Sequence, residues 1–176
     1  MKKKLVFALF TALIVVALLC CACAKQEPSV LDYCDIISDA KSATQVITVK
    51  SGSDELAKET LNYNFVTGKV SIERKTLNSS DADELYSIKT EIKDIAGKAT
   101  VKLTKDMLRD VTETDTTLKA TVLNAKLNEM FGIQASDVQG NANLELVAKN
   151  EHIVSITVSY TSTNGNAIQI VTNYVY

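Results

Sequence analysis

The stretch that decides the fold is the C-terminal segment HIVSITVSYTSTNGNAIQIVTNYVY, residues 152–176. Apolar and polar residues alternate here with a period of two, which is typical of strands that bury one face. Asn164-Gly165-Asn166 separates two such runs and is a strong turn signal. The sequence therefore predicts an antiparallel hairpin, whose two strands each place a set of apolar residues on one face: Val154, Ile156, Val158 and Tyr160 in the first, and Ile168, Ile170 and Tyr174 in the second.

The same period of two continues upstream. Lys149-Asn150-Glu151 joins this hairpin to a further predicted strand, 141–149, and residues 45–51 form a short β-branched run. Two more hairpins are predicted, one over 59–78 with its turn at Thr67-Gly68, and one over 85–103 with its turn near Gly97. The segment 53–59 fits either a helical turn or a strand end, and 105–113 is left unassigned.

Helical spacing interrupts the strands twice. Residues 29–43 place Val30, Cys34 and Ile37 on one stripe, with Ser29 and Asp32 in the arrangement of a capping box. The second predicted helix, 116–131, has an apolar stripe and ends before Gly132, a residue suited to a left-handed C-terminal position. Its stripe consists of Leu118, Val122, Leu127, Met130 and Phe131.

Strand runs broken by a few helices predict an α+β domain. We expect one domain over 29–176, with a curved antiparallel sheet of about eight strands and two helices packed against it. A chain of this length is sufficient for a hydrophobic core.

The N-terminus has the layout of a secretory signal. Three lysines lie within residues 1–4, and Leu5–Leu19 carry no charge. Three of the four cysteines of the chain follow directly, at positions 20, 21 and 23. This arrangement predicts a signal peptide over 1–22 and a short tether over 23–28.

The pattern resembles a bacterial lipoprotein signal, in which a small residue precedes the cysteine that becomes the lipidated N-terminus. Ala22-Cys23 fits best, although Cys20 stands where such signals usually carry leucine, and Leu18 would serve that role for Cys21. Lipidation at Cys23 would anchor the domain at the extracytoplasmic face of a cell membrane. Two alternatives stay open: release by an ordinary signal peptidase with Lys25 first, and an uncleaved helical anchor.

Charge and composition exclude several functions. The chain has 19 basic and 21 acidic residues, and loss of the three signal lysines leaves 16 and 21, a net charge of −5. This mild acidity argues against nucleic-acid binding. A zinc site is not expected, because the only histidine, His152, lies far from the cysteines. No cofactor is predicted.

Three further features favour structural roles. Cys34 lies on an apolar stripe beside Asp35, without the base that a nucleophilic thiol needs, and is predicted to be a small buried side chain. His152 is expected to be exposed at a turn. The acidic run Asp81-Ala82-Asp83-Glu84 lacks the other ligands of a calcium loop, so a solvated charge run is expected.

The order of elements, a lipoprotein signal followed by an early helix and a long antiparallel sheet with a second helix, resembles the lipoprotein-carrier-like group with its unclosed half-barrel sheet. The resemblance covers most of the mature chain but includes no diagnostic motif. It implies a concavity that binds an amphiphilic or apolar ligand. The expected cavity residues are Phe65, Ile88, Val101, Leu127 and Phe131.

An alternative function is a protein-interaction module of the cell envelope, an inhibitor or assembly factor without a ligand cavity. A hydrolase using dispersed carboxylates is the weakest hypothesis, because the chain has a single histidine and no tryptophan for a sugar platform. We therefore predict a binding protein rather than an enzyme, with the membrane as a partner through its N-terminal lipid.

Overall fold

The computed structural model describes residues 28–77, 86–95 and 101–176. They form one antiparallel sheet of nine strands in the spatial order β4-β3-β2-β1-β9-β8-β7-β6-β5. The strands are β1 (Ser42–Ser51), β2 (Asp54–Asn64), β3 (Lys69–Leu77), β4 (Tyr86–Asp94), β5 (Leu108–Glu113), β6 (Thr117–Val122), β7 (Val138–Lys149), β8 (His152–Ser162) and β9 (Ala167–Val175). The predicted α+β class with a curved antiparallel sheet is confirmed, with one strand more than expected.

Two meanders build this sheet. The first runs outward from the centre, from β1 to β4, and the second runs inward from β5 to β9. They meet where β1 pairs with β9 in continuous register, from Ser42 opposite Val175 to Lys50 opposite Ala167. The predicted hairpin turns at Gly68, Asn150-Glu151 and Gly165 are confirmed, and all four residues have a positive φ.

The first helix is a 3₁₀ helix, Val30–Asp39, which we call the N-terminal helix. The predicted capping box is present, and the Ser29 backbone N–H donates to the Asp32 carboxylate at 2.9 Å. The helix packs its buried side chains against β6, β7 and β8. Cys34 is buried on this face, as predicted.

The predicted helix over 116–131 is wrong in its first half. Thr117–Val122 is strand β6, and helical residues are confined to a 3₁₀ turn at Asn124–Lys126 and one α-helical turn at Leu127–Phe131, which we call the short helix. Leu118 and Val122 are four residues apart and fit either period, but Ala120 between them is also buried. Pairing with β5 and β7 on both sides then fixes the strand. Gly132 ends the short helix at φ 68°, as expected.

The predicted hairpin over 85–103 is also wrong. β4 pairs with β3, in an unbroken register from Lys69 opposite Asp94 to Leu77 opposite Tyr86. Residues 101–104 form no strand, and the predicted turn lies outside the described residues. The two segments without a firm assignment, 53–59 and 105–113, consist mostly of strand residues. β2 begins at Asp54, and β5 follows a single 3₁₀ turn, Lys105–Met107.

The sequence predicts Val154 on the same face of β8 as Ile156 and Val158, but a bulge in this strand changes its position. Val147 lies opposite Ser155 while Ala148 lies opposite Ile153, so that Val154 is the extra residue. Ile153 is therefore fully buried, and Val154 is only half-buried. Ile156 and Val158 lie on the buried face as predicted.

Candidate functional site

The candidate site is an open groove on the inner face of the sheet, with a volume of about 890 Å³. We call it the inner groove. Side chains from β1, β8 and β9 form its floor, and the residues around the short helix line it together with the segment after β4. The principal floor residues are Ala43, Ile47, Ile156, Val158, Ile170 and Tyr174.

The alternation of the strands explains why this floor is apolar. Residues directly opposite each other in an antiparallel pair point to the same side of the sheet. Ile47 lies opposite Ile170, and Ile170 lies opposite Val158, which sets three apolar side chains in a row across three strands. A second row across the same sheet face, four residues away along β1, contains Ala43 opposite Tyr174.

One polar pair lies within this floor. Gln45 and Thr172 are opposite each other on β1 and β9, and the Gln45 side-chain amide donates to the Thr172 hydroxyl at 3.2 Å. Thr172 is the one buried polar residue among those that the structure describes. A few polar groups in an apolar pocket are the usual means of orienting a small ligand.

Aromatic side chains surround the groove. The rings of Tyr63 and Phe65 are stacked, with centroids 5.9 Å apart and planes inclined by 13°. Burial raises the pKa of Tyr63, Tyr160 and Tyr174 above the ordinary phenol value. These phenols therefore remain protonated at neutral pH and offer the groove flat apolar surfaces with neutral hydroxyl groups.

Three of the five expected cavity residues, Phe65, Val101 and Phe131, line the inner groove. Leu127 does not line it, because this residue begins the short helix and is fully buried in the core. Ile88 does not line it either. It lies on the outer face of β4, opposite Lys75, and is 65% exposed. The lipidation residue Cys23 lies outside the described residues.

The aromatic residues Tyr63, Tyr160 and Tyr174 and the Gln45–Thr172 pair were not among the expected cavity residues. The period-two pattern already placed Tyr160 and Tyr174 on apolar faces of their strands. The Gln45–Thr172 pair had no such signal, because the pairing of the first strand with the last joins residues 127 positions apart.

Cys34 and His152 do not line the inner groove. Burial, assisted by Asp35 and Asp32, raises the pKa of the Cys34 thiol to about 12. His152 is half-buried rather than exposed. Its Nδ1 lies 2.6 Å from the Asn150 carbonyl oxygen, and its ring meets that of Tyr176 edge to face at 4.4 Å. The acidic run at 81–84 lies outside the described residues.

No group of three metal-ligating side chains occurs within residues 28–77, 86–95 and 101–176. In the same ranges, no helix has the length and apolar character that a membrane span requires.

Comparisons with known proteins assign the chain neither to a family nor to a function. No model of a protein family matches the chain, and no curated protein matches it. Two solved structures show a likeness: "GphF Dehydratase P1711L variant for improved crystallization", with 9% identity, TM-score 0.24 and coverage of 77% of this chain and 75% of that one, and "GphF Dehydratase 1", with 9% identity, TM-score 0.23 and coverage of 77% and 76%. TM-scores this low carry no argument about function.

Proposed function

We propose that this domain binds an amphiphilic or apolar ligand in the inner groove. The observation that carries the proposal is a groove of about 890 Å³ with an apolar floor and aromatic walls. This volume lies in the range of small-molecule sites, which are mostly apolar with a few placed polar groups. The Gln45–Thr172 pair supplies those groups here.

The geometry favours a ligand with one extended apolar part. The row formed by Ile47, Ile170 and Val158 crosses the strands without an intervening charge. Asp137, in contrast, lies at the border of the groove on an exposed 3₁₀ turn, Ala135–Asp137. A ligand with an apolar chain on the floor and a polar end toward solvent fits this distribution.

We further propose that the domain works as a membrane-anchored lipoprotein on the extracytoplasmic side. The N-terminal signal pattern and Ala22-Cys23 support this location. Intact mass of the chain from detergent-extracted membranes of a bacterial host tests it. A mass that fits an acylated Cys23, lost with Cys23→Ala, supports the anchor, and a mass that begins at Lys25 contradicts it.

A tryptophan reporter tests the ligand site directly, because the chain has no tryptophan of its own. Phe131→Trp places the only indole at the wall of the inner groove. A brominated fatty acid is the probe, and we expect it to quench this fluorescence in a saturable manner. The matched control is Val171→Trp, at a half-buried position of β9 whose side chain points to the opposite face from Ile170.

Blocking the groove provides a second, independent measurement. Ile170→Trp fills the floor, whereas Val171→Trp places the same indole side chain on the other face. Affinity for a pyrene-labelled fatty acid should fall at least tenfold with Ile170→Trp and stay within twofold with Val171→Trp. Equal effects of the two variants, or no saturable binding by the unmodified chain, would contradict the proposal.

The alternative function, a protein-interaction module of the envelope, is favoured by a different observation. Two large apolar side chains, Ile88 and Ile92, are 65% and 71% exposed on strand β4. Exposed apolar side chains grouped at a sheet edge mark association surfaces.

A further inference from the structure

The two edges of the sheet differ in how well they are protected from pairing. β5 is six residues long, its register is broken between Arg109 and Thr112, and Asp110 has a φ of 52°. Short edge strands and bulges of this kind hinder an edge from accepting another strand. β4 has neither the short length nor the bulge, since its nine residues pair with β3 in continuous register.

The outer edge of β4 is free within the part of the chain that the structure describes. β3 is its only neighbour there, so one side of β4 presents backbone N–H and C=O groups that no described strand pairs with. The start of the N-terminal helix, Ser29 and Val30, does not lie here. It is held at the opposite edge, where the Glu113 carboxylate accepts hydrogen bonds from the Ser29 hydroxyl at 2.7 Å and from the Val30 N–H at 2.6 Å.

The side chains of β4 form two distinct faces. Ile88, Thr90 and Ile92 point to the outer face of the sheet and are exposed. Lys89 and Glu91 point to the inner face, opposite Arg74 and Ile72 of β3. The central sequence of β4 is Ile-Lys-Thr-Glu-Ile, residues 88–92. An isoleucine lies two residues from Thr90 on each side, and a charged residue, of opposite sign on the two sides, lies directly next to it.

We propose that the edge strand β4 pairs antiparallel with β4 of a second copy of this chain, about a two-fold axis at Thr90. In this register Ile88 of each copy lies opposite Ile92 of the other, which covers all four exposed isoleucines. Lys89 lies opposite Glu91 in both halves. Two nine-stranded sheets then become one of eighteen strands, with both inner grooves on the same side.

Charge complementarity selects this register over its neighbours. A two-fold axis at Lys89 places two Lys89 ammonium groups opposite each other. An axis at Glu91 places two Glu91 carboxylates together and also sets Lys89 against Lys93. Like charges directly opposite each other on paired strands are destabilising, and opposite charges stabilise. Of these three axes, the one at Thr90 matches apolar with apolar and acid with base. An axis at Ile92 also sets Glu91 against Lys93, but it sets no isoleucine against Ile88.

Glu91 is suited to its part in the pairing. Its carboxylate lies 3.4 Å from an Arg74 nitrogen and 3.2 Å from the Lys93 ammonium, and hydrogen bonds with these cations lower its pKa. Glu91 is thus ionised at neutral pH. The exposed Lys89–Glu91 pairs between the two copies determine the register and add little to the affinity. The backbone hydrogen bonds between the two edge strands and the isoleucine contacts provide most of the attraction.

Disulfide trapping tests both the pairing and its register, on the full chain purified in detergent. In the proposed register Thr90 faces Thr90 of the other copy, with Cα atoms about 4.5–5.5 Å apart, which is within reach of a disulfide. Thr90→Cys should therefore give a covalent dimer under mild oxidation. The unmodified chain, with its native cysteines, is the control and should give none.

Single cysteines at the neighbouring outward positions test the register. Ile88→Cys alone and Ile92→Cys alone should not form a disulfide-linked dimer. In the proposed register each cysteine lies four residues, about 14 Å, from the same position of the other copy. A mixture of the two variants should cross-link, because positions 88 and 92 face each other.

Two outcomes of the comparison between variants would overturn the proposal, and a third concerns the partner. One is no dimer from Thr90→Cys, and the other is equal dimer from all three single variants. Cross-linking of Thr90→Cys to a protein of different mass would also contradict it, because the edge would then belong to another partner.

Sedimentation velocity gives a measurement without new cysteines. Lys89→Glu sets two carboxylates against each other on both sides of the axis, and we expect at least tenfold weaker dimerisation. Lys58→Glu, an equal charge change on the outer face of the interior strand β2, is the control and should leave dimerisation within twofold. The proposal fails if both changes weaken association equally, or if the unmodified chain stays monomeric at all concentrations.

Discussion

The two halves of the sheet differ in what covers their inner face. The half formed by β5 to β8 lies beneath the N-terminal helix and the short helix, and Leu118, Leu146 and Ile153 are fully buried there. The half formed by β1 to β4 has apolar residues near the centre, and its inner face becomes charged toward the edge. Glu59 and Glu91 flank Arg74 across three strands, with ion pairs at 3.0 and 3.4 Å.

This difference indicates a division of roles. Burial of apolar surface is the main source of stability, so the covered half should contain most of the folding free energy. The inner groove lies where the covering ends, along the seam of β1 and β9. The uncovered half is then free to supply a wall of the groove and an edge for association. Stability measurements can test each part of this division.

The largest effect is expected in the covered half. Leu146→Ala removes a fully buried side chain of β7 and leaves a cavity that the surrounding core fills only in part. The free energy of unfolding should fall by about 2–5 kcal/mol. Chemical denaturation measures this loss, and Glu145→Ala, on the other face of the same strand, should change the value by less than about 0.5 kcal/mol. A loss under 1 kcal/mol from Leu146→Ala would contradict the division.

Alkaline pH should weaken the fold through groups in the N-terminal helix and at the C-terminal end of the chain. Burial raises the pKa of the Cys34 thiol to about 12 and that of the Tyr176 phenol to about 12, and it also raises the pKa of Tyr174. In the unfolded chain these groups lose their protons near pH 9–10. The native state therefore binds more protons than the unfolded state above pH 9, and stability falls as pH rises.

The thiol alone should lower the free energy of unfolding by about 2 kcal/mol between pH 8 and pH 11. Denaturation curves at pH 8, 9.5 and 11 measure the fall. Cys34→Ala is the control, since it removes this titrating group and should make the dependence shallower. An unchanged stability up to pH 11 would show that these groups are not buried together with the helix.

Several parts of the fold follow from the sequence alone because their signals are local. The turns at Gly68 and Gly165 require positive φ angles, which the sequence provides at those positions. The capping box at Ser29 and Asp32 likewise uses residues three apart. Such features depend on neighbours in the chain, and the sequence predicts them correctly.

Other parts depend on distant residues. Leu118 and Val122 fit both the helical and the strand period, and only the pairing of β6 with β5 and β7 decides between them. The strand order has the same origin. The sequence has no local signal that β1 pairs with β9, or that β4 and β5 lie at opposite edges of the sheet.

The groove is predicted only in part for this reason. Phe65, Val101 and Phe131 line it, but the Gln45–Thr172 pair depends on contacts across that unpredicted seam. Ile88 was expected on the inner face because an apolar residue normally points inward. Its exposure at the edge of the sheet is the exception from which the proposed pairing of β4 follows.

A smaller effect is expected where the N-terminal helix is fastened to β5. Glu113 accepts two hydrogen bonds from the start of this helix. Glu113→Ala removes both and should cost about 1 kcal/mol, in the range of a lost helix cap. Hydrogen exchange should accelerate in Val30–Asp39 more than in β7, because the helix then opens without the sheet. Glu113→Gln retains one acceptor oxygen and should restore part of the protection, whereas acceleration spread evenly over the chain would argue against a local fastening.

The smallest effect is expected at the charged end of the uncovered half. Arg74→Ala removes the ion pairs with Glu59 and Glu91, but the Arg74 side chain is 46% exposed, so that water already screens these charges. The free energy of unfolding should change by less than about 1 kcal/mol, and the difference from the unmodified chain should disappear in 1 M salt. Urea titrations at low and high salt measure both quantities. A loss above 2 kcal/mol that persists in salt would show that this half is stabilised by more than surface charge, and the contrast between the two halves would no longer hold.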